Sequence, residues 1–201
     1  FRGEEWLPSA PVHIMLWDYL GWAAEMPQWA HFPLILGPNG KLSKRDGAKF
    51  GFPVFAMNWN DPKTGEVTEG FREKGFLPEA FVNMLAMLGW NDGSGQEIFT
   101  KQQLIERFSI ERVHSSGAKF DYEKAKWFNH EWLKLSGDDA LTAEIQHKLN
   151  KLDVQAEEAQ VRRVVALVKE RCTFVSDAWP NSEFFFVEPV SIDLPAIQPK
   201  W

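Results

Sequence analysis

The residues best equipped for chemistry stand together in one short stretch, GKLSKRDGAKFG, over residues 40–51. It gathers Lys41, Lys44, Arg45, Lys49 and the hydroxyl of Ser43 between glycines, in a chain of formal net charge −6. Three features suit a polyanion. Glycine lets a backbone approach a ligand closely. Lys41 and Lys44 are near enough in sequence for a single bend to present both to one target. Lysine is a flexible point charge, able to follow a phosphate as it leaves its partner. The stretch lacks the long Gly-to-Gly-Lys spacing of a Walker A loop. On residue type alone, a solvated basic surface loop is the plainer alternative.

Other reactive types are scattered. His13, His31, His114, His130 and His147 show no metal-ligand spacing, and no metal site is expected. Cys172 is the single cysteine, which excludes an intramolecular disulfide and a cysteine-based zinc cluster; it reads as a small core residue. No GxSxG motif is present. Asp138 and Asp139 read as a helix start rather than as catalytic carboxylates. Arg162, Arg163 and Arg171 interleave with Glu157, Glu158 and Glu170, the pattern of a solvated face.

The elements that must hold the loop follow from pattern. Residues 9–22 predict a helix capped by Ser9, with Pro11 in its first turn and Val12, Leu16 and Tyr19 on one face. The apolar run 32–36 predicts a strand, and GPNG at 37–40 a turn, so the basic loop should leave a strand end and project. Aromatic-rich residues 50–70, with NDPKTG in their middle, predict a hairpin, an irregular flap being the alternative. Residues 76–90 predict a helix with Leu77, Phe81, Met84, Leu85 and Leu88 on one stripe. A Thr100–Gln103 capping box opens another helix ahead of Leu104, Ile105 and Phe108. Residues 115–120 predict a loop, after which Asp121 can cap a helix. Beyond Ser136 the stripes Leu141, Ile145, Leu149, Leu152 and Val161, Val164, Val165, Val168, Cys172 predict packed helices.

With 201 residues the chain can bury one good core or two modest ones. Ten Trp and sixteen Phe promise large core anchors. A pI near 5.4 argues against non-specific nucleic-acid binding but leaves room for a local phosphate contact. No apolar run reaches the roughly 18–20 residues of a membrane span. With neither an initiator Met nor a signal pattern at FRGEEW, the chain reads as cytoplasmic and as a piece of something longer.

Four strings occur in order: RGEEWLPSAPVHIMLWDYLGW, HFPLILGPNGKLSKRDG, EKGFLPEAFVNMLAMLGW and AKFDYEKAKWFNHEWL. Together they resemble the class I glutamyl-tRNA synthetases, with KLSKR as that family's version of the KMSKS loop. The likeness is densest at 2–48 and 74–133 and becomes one of texture in the final helices.

The resemblance implies an α+β, mostly α chain: the end of a class I catalytic domain at 1–30, a stem-contact domain with a small β element at 31–120, and an all-α anticodon-binding bundle at 121–201. It implies activation of glutamate with ATP, magnesium arriving with ATP, and transfer of glutamate to the 3′ end of tRNA(Glu). The expected partners are therefore tRNA(Glu), glutamate and ATP, with no membrane and a monomeric state. By the same resemblance Lys44 would contact the ATP phosphates and stabilise the departing pyrophosphate, Lys41 would assist, and Ser43 would hold the loop's shape. Arg2 would hold the glutamate substrate, the alternative being a surface ion pair with Glu4 or Glu5. Leu34 and Ile35 would meet adenine through backbone groups. Glu5 and Trp6 would lie near the ATP and acceptor-end pocket, although Trp6 fits a core equally well. Ser115, Ser116 and Lys119 would approach the tRNA, a capped connecting loop being the alternative.

Two departures qualify this. The nucleotide-binding half with the HIGH-type motif does not occur in the chain, so the chain alone is expected to be inactive. Residues 49–70 are longer than the family pattern suggests, and surface decoration is favoured over a buttress for the loop. A glutaminyl-type synthetase and a non-catalytic tRNA-binding module on the same scaffold are the competing functions.

Overall fold

A computed structural model describes residues 1–43, 47 and 49–188. Strand β1 (Arg2–Gly3) runs parallel to β2 (His31–Phe32), with Arg2 opposite His31 and Gly3 opposite Phe32. Between them lie a 3-10 segment (Glu4–Ser9) and helix α1 (Ala10–Tyr19). Pro11 sits in the first turn of α1 as expected, but Ser9 does not cap it; its hydroxyl donates to the Trp6 carbonyl at 2.7 Å. The predicted Val12, Leu16 and Tyr19 face is not a buried one: these residues are 66, 54 and 76% exposed. Only Ala10, His13 and Trp17 of this helix are part-buried, His13 stacked on Trp29 and Trp17 edge-on to Trp22, while its other apolar side chains stay exposed.

The predicted strand at 32–36 is split at Pro33 and Leu34. Its first part is β2; its second, β3 (Ile35–Gly37), joins a different sheet of order β4-β3-β7. Strand β4 (Gly40–Lys41) is antiparallel to β3 across the Pro38–Asn39 turn, where Gly40 takes φ +111°, a region glycine enters freely. Strand β7 (Ala118–Lys119) is parallel to β3, with Ala118 opposite Ile35 and Lys119 opposite Leu36. The expectation of a plain loop over 115–120 is corrected here. A two-residue strand has no period to read, and its partner is far away in sequence.

The hairpin expected within 50–70 is present as β5 (Trp59–Asn60) and β6 (Val67–Thr68). Asp61 closes its turn by accepting from the Lys63 and Thr64 amides at 2.7 and 3.1 Å. Its tip is exposed, as decoration would be. Phe52 and Pro53 at its base are buried, which decoration does not explain.

Helix α2 (Pro78–Met87) starts on a proline at its first position. Its buried residues are Ala80, Asn83 and Met84, while Leu85 of the expected stripe is 44% exposed. Helix α3 (Lys101–Arg107) has both halves of its capping box: Thr100 accepts from the Gln103 amide at 3.2 Å and Gln103 accepts from the Thr100 amide at 2.9 Å. Only Leu104 of its apolar residues is buried; Ile105 and Phe108 face outward. Asp121 caps α4 (Tyr122–Leu135), accepting from the Glu123 and Lys124 amides at 2.8 and 3.2 Å. Helices α5 (Asp139–Lys151) and α6 (Glu158–Val168) follow. Asp138 stands at the α5 start as predicted, although its carboxylate accepts from Lys169 at 2.7 Å rather than from the helix.

Two cores result. One joins Leu133, Leu141, Ile145, Leu149, the four valines of α6 and Cys172. The other is largely aromatic, from Phe52, Phe71, Phe76, Met84, Phe120, Ala125 and Phe128. Of the predicted α5–α6 stripes only Leu152 is exposed, because it stands at the helix end. Helix α4 feeds both cores, with Ala125 and Phe128 in one and Leu133 in the other. Buried Asn129 locks this junction: it accepts from the Leu77 amide at 2.7 Å and donates to the Thr173 carbonyl at 2.6 Å. Buried Asn83 likewise accepts from the Phe99 amide and Trp132 Nε1 and donates to the Glu97 carbonyl. Among the described residues no helix is long and apolar enough to cross a membrane.

Candidate active site

The two small sheets bring the N-terminal residues and the basic loop together. Pairing of β1 with β2, with the Arg2 amide donating to the Ala30 carbonyl at 3.0 Å, fixes Arg2 at a sheet edge. Its guanidinium lies over the Trp6 ring, 5.3 Å from the centroid. The alternative of an ion pair from Arg2 to its neighbours is not formed, because both carboxylates are engaged elsewhere. Glu4 accepts from the Leu34 amide at 3.4 Å, and Glu5 accepts from Lys41 Nζ at 3.2 Å. A hydrogen bond from its own backbone amide, followed by the one from Lys41, holds the Glu5 carboxyl below its ordinary range. Trp6 is 54% exposed, so it is a surface residue and not a core one.

The loop leaves the β3–β4 hairpin. Leu36 lies opposite Lys41, and the Leu42 amide donates to the Ile35 carbonyl at 2.8 Å, so the ladder holds the chain up to exposed Ser43. Lys44, Arg45 and Asp46 lie outside the described residues. The chain is next described at Gly47, which is buried. Leu34 is half-buried and Ile35 is 41% exposed, with the Leu34 carbonyl accepting from the Ala118 amide at 3.2 Å. The Leu34 amide is thus already committed to Glu4, at the long end of hydrogen-bonding distance.

Of the candidate RNA contacts, Ser115 and Ser116 are exposed in the bend before β7, and Lys119 is exposed in that strand. Leu36 is the registered partner of both Lys41 and Lys119, so the two lysines share one face of the sheet with a strand between them. Strands are spaced about 4.8 Å apart, which sets the two backbones roughly 10 Å from one another. The approach to Ser115 is pinned from the 91–96 loop. Asp92 accepts from Arg107 at 2.8 Å and from the Ser94 amide at 2.9 Å, and Arg112 donates to the Asp92 carbonyl. Hydrogen bonds from the Ser94 side chain and amide, then from Arg107, lower the Asp92 carboxyl to about 2. From sequence, Glu4 stood only as an alternative ion-pair partner for Arg2, and Gly47 only as one of the loop's glycines. Glu4 carries no motif of its own, and the packing of Gly47 is a tertiary fact.

Among the described residues no group of three or more His, Cys, Asp or Glu side chains suits a resident metal ion.

Comparison with known proteins places this geometry. Residues 1–127 match the family model of tRNA synthetases class I (E and Q), catalytic domain, and residues 123–201 match an anticodon binding domain. The glutamate–tRNA ligase of Amoebophilus asiaticus (strain 5a2) is 50% identical over 202 residues, covering 100% of this chain and 40% of that protein. That of Christiangramia forsetii is 50% identical over 194 residues, covering 96% of this chain and 38% of its own. A crystal structure of a glutamate tRNA ligase from Elizabethkingia meningosepticum, in complex with its amino acid, superposes with TM-score 0.90 at 46% identity, over 100% of this chain and 40% of that one. The chain therefore spans about two fifths of the length of these relatives.

Proposed function

Because the chain belongs to the class I tRNA synthetases of the glutamate and glutamine type, we propose that it is the part of a glutamate–tRNA ligase that carries the lysine loop, the stem contact and the start of anticodon recognition. The relatives named above favour glutamate over glutamine as the amino acid. The observation that carries the reading is the hairpin that delivers the loop beside β1, with Lys41 hydrogen-bonded to Glu5 and Arg2 close by in the chain. In this reading residues 1–30 close the catalytic domain, 31–120 contact the acceptor stem and 121–201 begin the anticodon-binding bundle.

Each residue's part follows from its chemistry. The Arg2 guanidinium offers a fork of donors that suits the carboxylate of glutamate. Backbone groups at Leu34 and Ile35 meet adenine once the long contact from the Leu34 amide to Glu4 gives way, so their side chains matter for packing more than for recognition. Lys44 and Lys41 balance negative charge as pyrophosphate departs, an interaction stronger in the transition state than in the ground state. Ser43 holds the loop between them, and Glu5 and Trp6 border the pocket. Magnesium belongs to the substrate, arriving with ATP. Ser115, Ser116 and Lys119 contact tRNA phosphates through hydroxyls and charge. The protein works in the cytoplasm as a monomer.

The test is amino-acid dependence of ATP–pyrophosphate exchange in a full-length synthetase carrying this sequence. Glutamate-dependent exchange supports the proposal, and exchange supported by glutamine alone would replace it with the glutaminyl reading. A purely RNA-binding module would show neither, yet would bind tRNA with an affinity that falls steeply with salt.

A further inference from the structure

Gly47, at the exit of the lysine loop, is held close to another stretch of backbone. A Cβ added at Gly47 would stand 2.9 Å from the Phe52 carbonyl oxygen and 3.3 and 3.4 Å from the two Val54 methyls. The first of these is backbone and cannot rotate away. The chain reaches this arrangement by folding back on itself. The Gly51 amide donates to the Gly47 carbonyl at 2.9 Å, and Gly51 takes φ +74°, which returns the chain so that Phe52 and Val54 lie under Gly47.

That support is firmly founded. Phe52 is 7% exposed, with ring centroids 5.2 Å from Phe120 and 6.0 Å from Tyr122. On the entering side of the loop, Leu42 packs against the same aromatic cluster. Both ends of the loop therefore rest on one core, the first through a side chain and the second through a glycine backbone.

We propose that the contact of Gly47 with Phe52 and Val54 is a positioning seat for the lysine loop, and that the base of the 49–70 segment serves catalysis by fixing where the loop lands. This rests on the lysine-loop reading given above. A side chain at position 47 must push the exit of the loop outward, because Phe52 is fixed in the core. Gly47 touches no reacting atom; it acts through the lysine that precedes it. A misplacement of about 1 Å at a reacting centre costs on the order of 100-fold in rate.

The test is pyrophosphate exchange by a full-length synthetase carrying this sequence, in a double-mutant cycle with Lys44→Ala. Gly47→Ala is expected to lower kcat by roughly 10- to 100-fold while moving KM for ATP by less than about threefold. In the Lys44→Ala background the same change should lower kcat by less than about twofold, because the group being positioned is gone. A merely structural glycine would slow both backgrounds equally. Val54→Ala trims the seat without a clash and carries the test if Gly47→Ala fails to fold. Its expected loss is about 3- to 10-fold, again absent in the Lys44→Ala background. Full additivity, or no loss from either variant, overturns the seat alone. A Lys44→Ala enzyme with undiminished kcat overturns the lysine-loop reading, and the seat with it.

Discussion

Arg2 and Lys41 are both cations on two-residue strands, β1 and β4, yet chemistry separates them. Lys41 has a partner in Glu5, whereas Arg2 presents its guanidinium across an exposed indole. If Arg2 holds a carboxylate, its planar fork matters as well as its charge. Arg2→Lys should then raise KM for glutamate by about tenfold or more with a much smaller effect on kcat. A matched fall in kcat at unchanged KM, read from glutamate-dependent exchange, would remove Arg2 from substrate binding. Much at this scale was legible because it is local: charges, hydroxyl and glycines of the loop are adjacent in sequence. The hydrogen bond from the Leu34 amide to Glu4 was not, since it joins residues thirty apart and follows no motif.

Elements were legible where their signal is self-contained. The Thr100–Gln103 box, the Asp121 cap and the hairpin about 61–65 each need only a few neighbouring residues, and each formed. Strand β7 depends on a distant partner, and pattern read its residues as a loop. The polar hubs were invisible for the same reason, since an asparagine in a helical stripe reads as a surface residue until it is seen buried. Asn129→Ala strands the Leu77 amide and the Thr173 carbonyl, and should lower unfolding free energy by about 2–4 kcal/mol in urea titration. A loss under about 0.5 kcal/mol would mean that the junction does not depend on it.

The 91–96 loop makes a pH-dependent prediction. Asp92 titrates near 2 when folded, below its ordinary 3.8. A carboxyl depressed on folding stabilises the native state above its unfolded value, and that contribution is lost as pH falls through the folded one. The bonds to Ser94 and Arg107 should therefore persist at pH 4 and release towards pH 2. The NMR titration midpoint of the Asp92 carboxyl checks this, and a midpoint near 4 would contradict it.

At the scale of the whole molecule, α4 makes the chain continuous. The aromatic core lies on one part of this helix and the aliphatic core on another, and the boundary between the two family matches falls at its first turn. The helical texture of the second half was plain from its stripes, because α5 and α6 bury each against the other. Helix α1, by contrast, has no buried residue. Since the chain spans about two fifths of its relatives, the purified 201-residue polypeptide should fold cooperatively yet catalyse no glutamate-dependent exchange. Robust exchange from it would show that the loop and its neighbours suffice for activation.

The most direct test concerns Lys44, the lysine proposed to meet the departing pyrophosphate. In a full-length synthetase, Lys44→Ala should lower kcat for glutamate activation by 100-fold or more, about 2.7 kcal/mol of transition-state stabilisation, while KM for ATP changes by less than about threefold. Equal losses in kcat/KM and in ATP affinity, at unchanged kcat, would instead reveal ordinary attraction for bound ATP and contradict a role in stabilising the departing pyrophosphate.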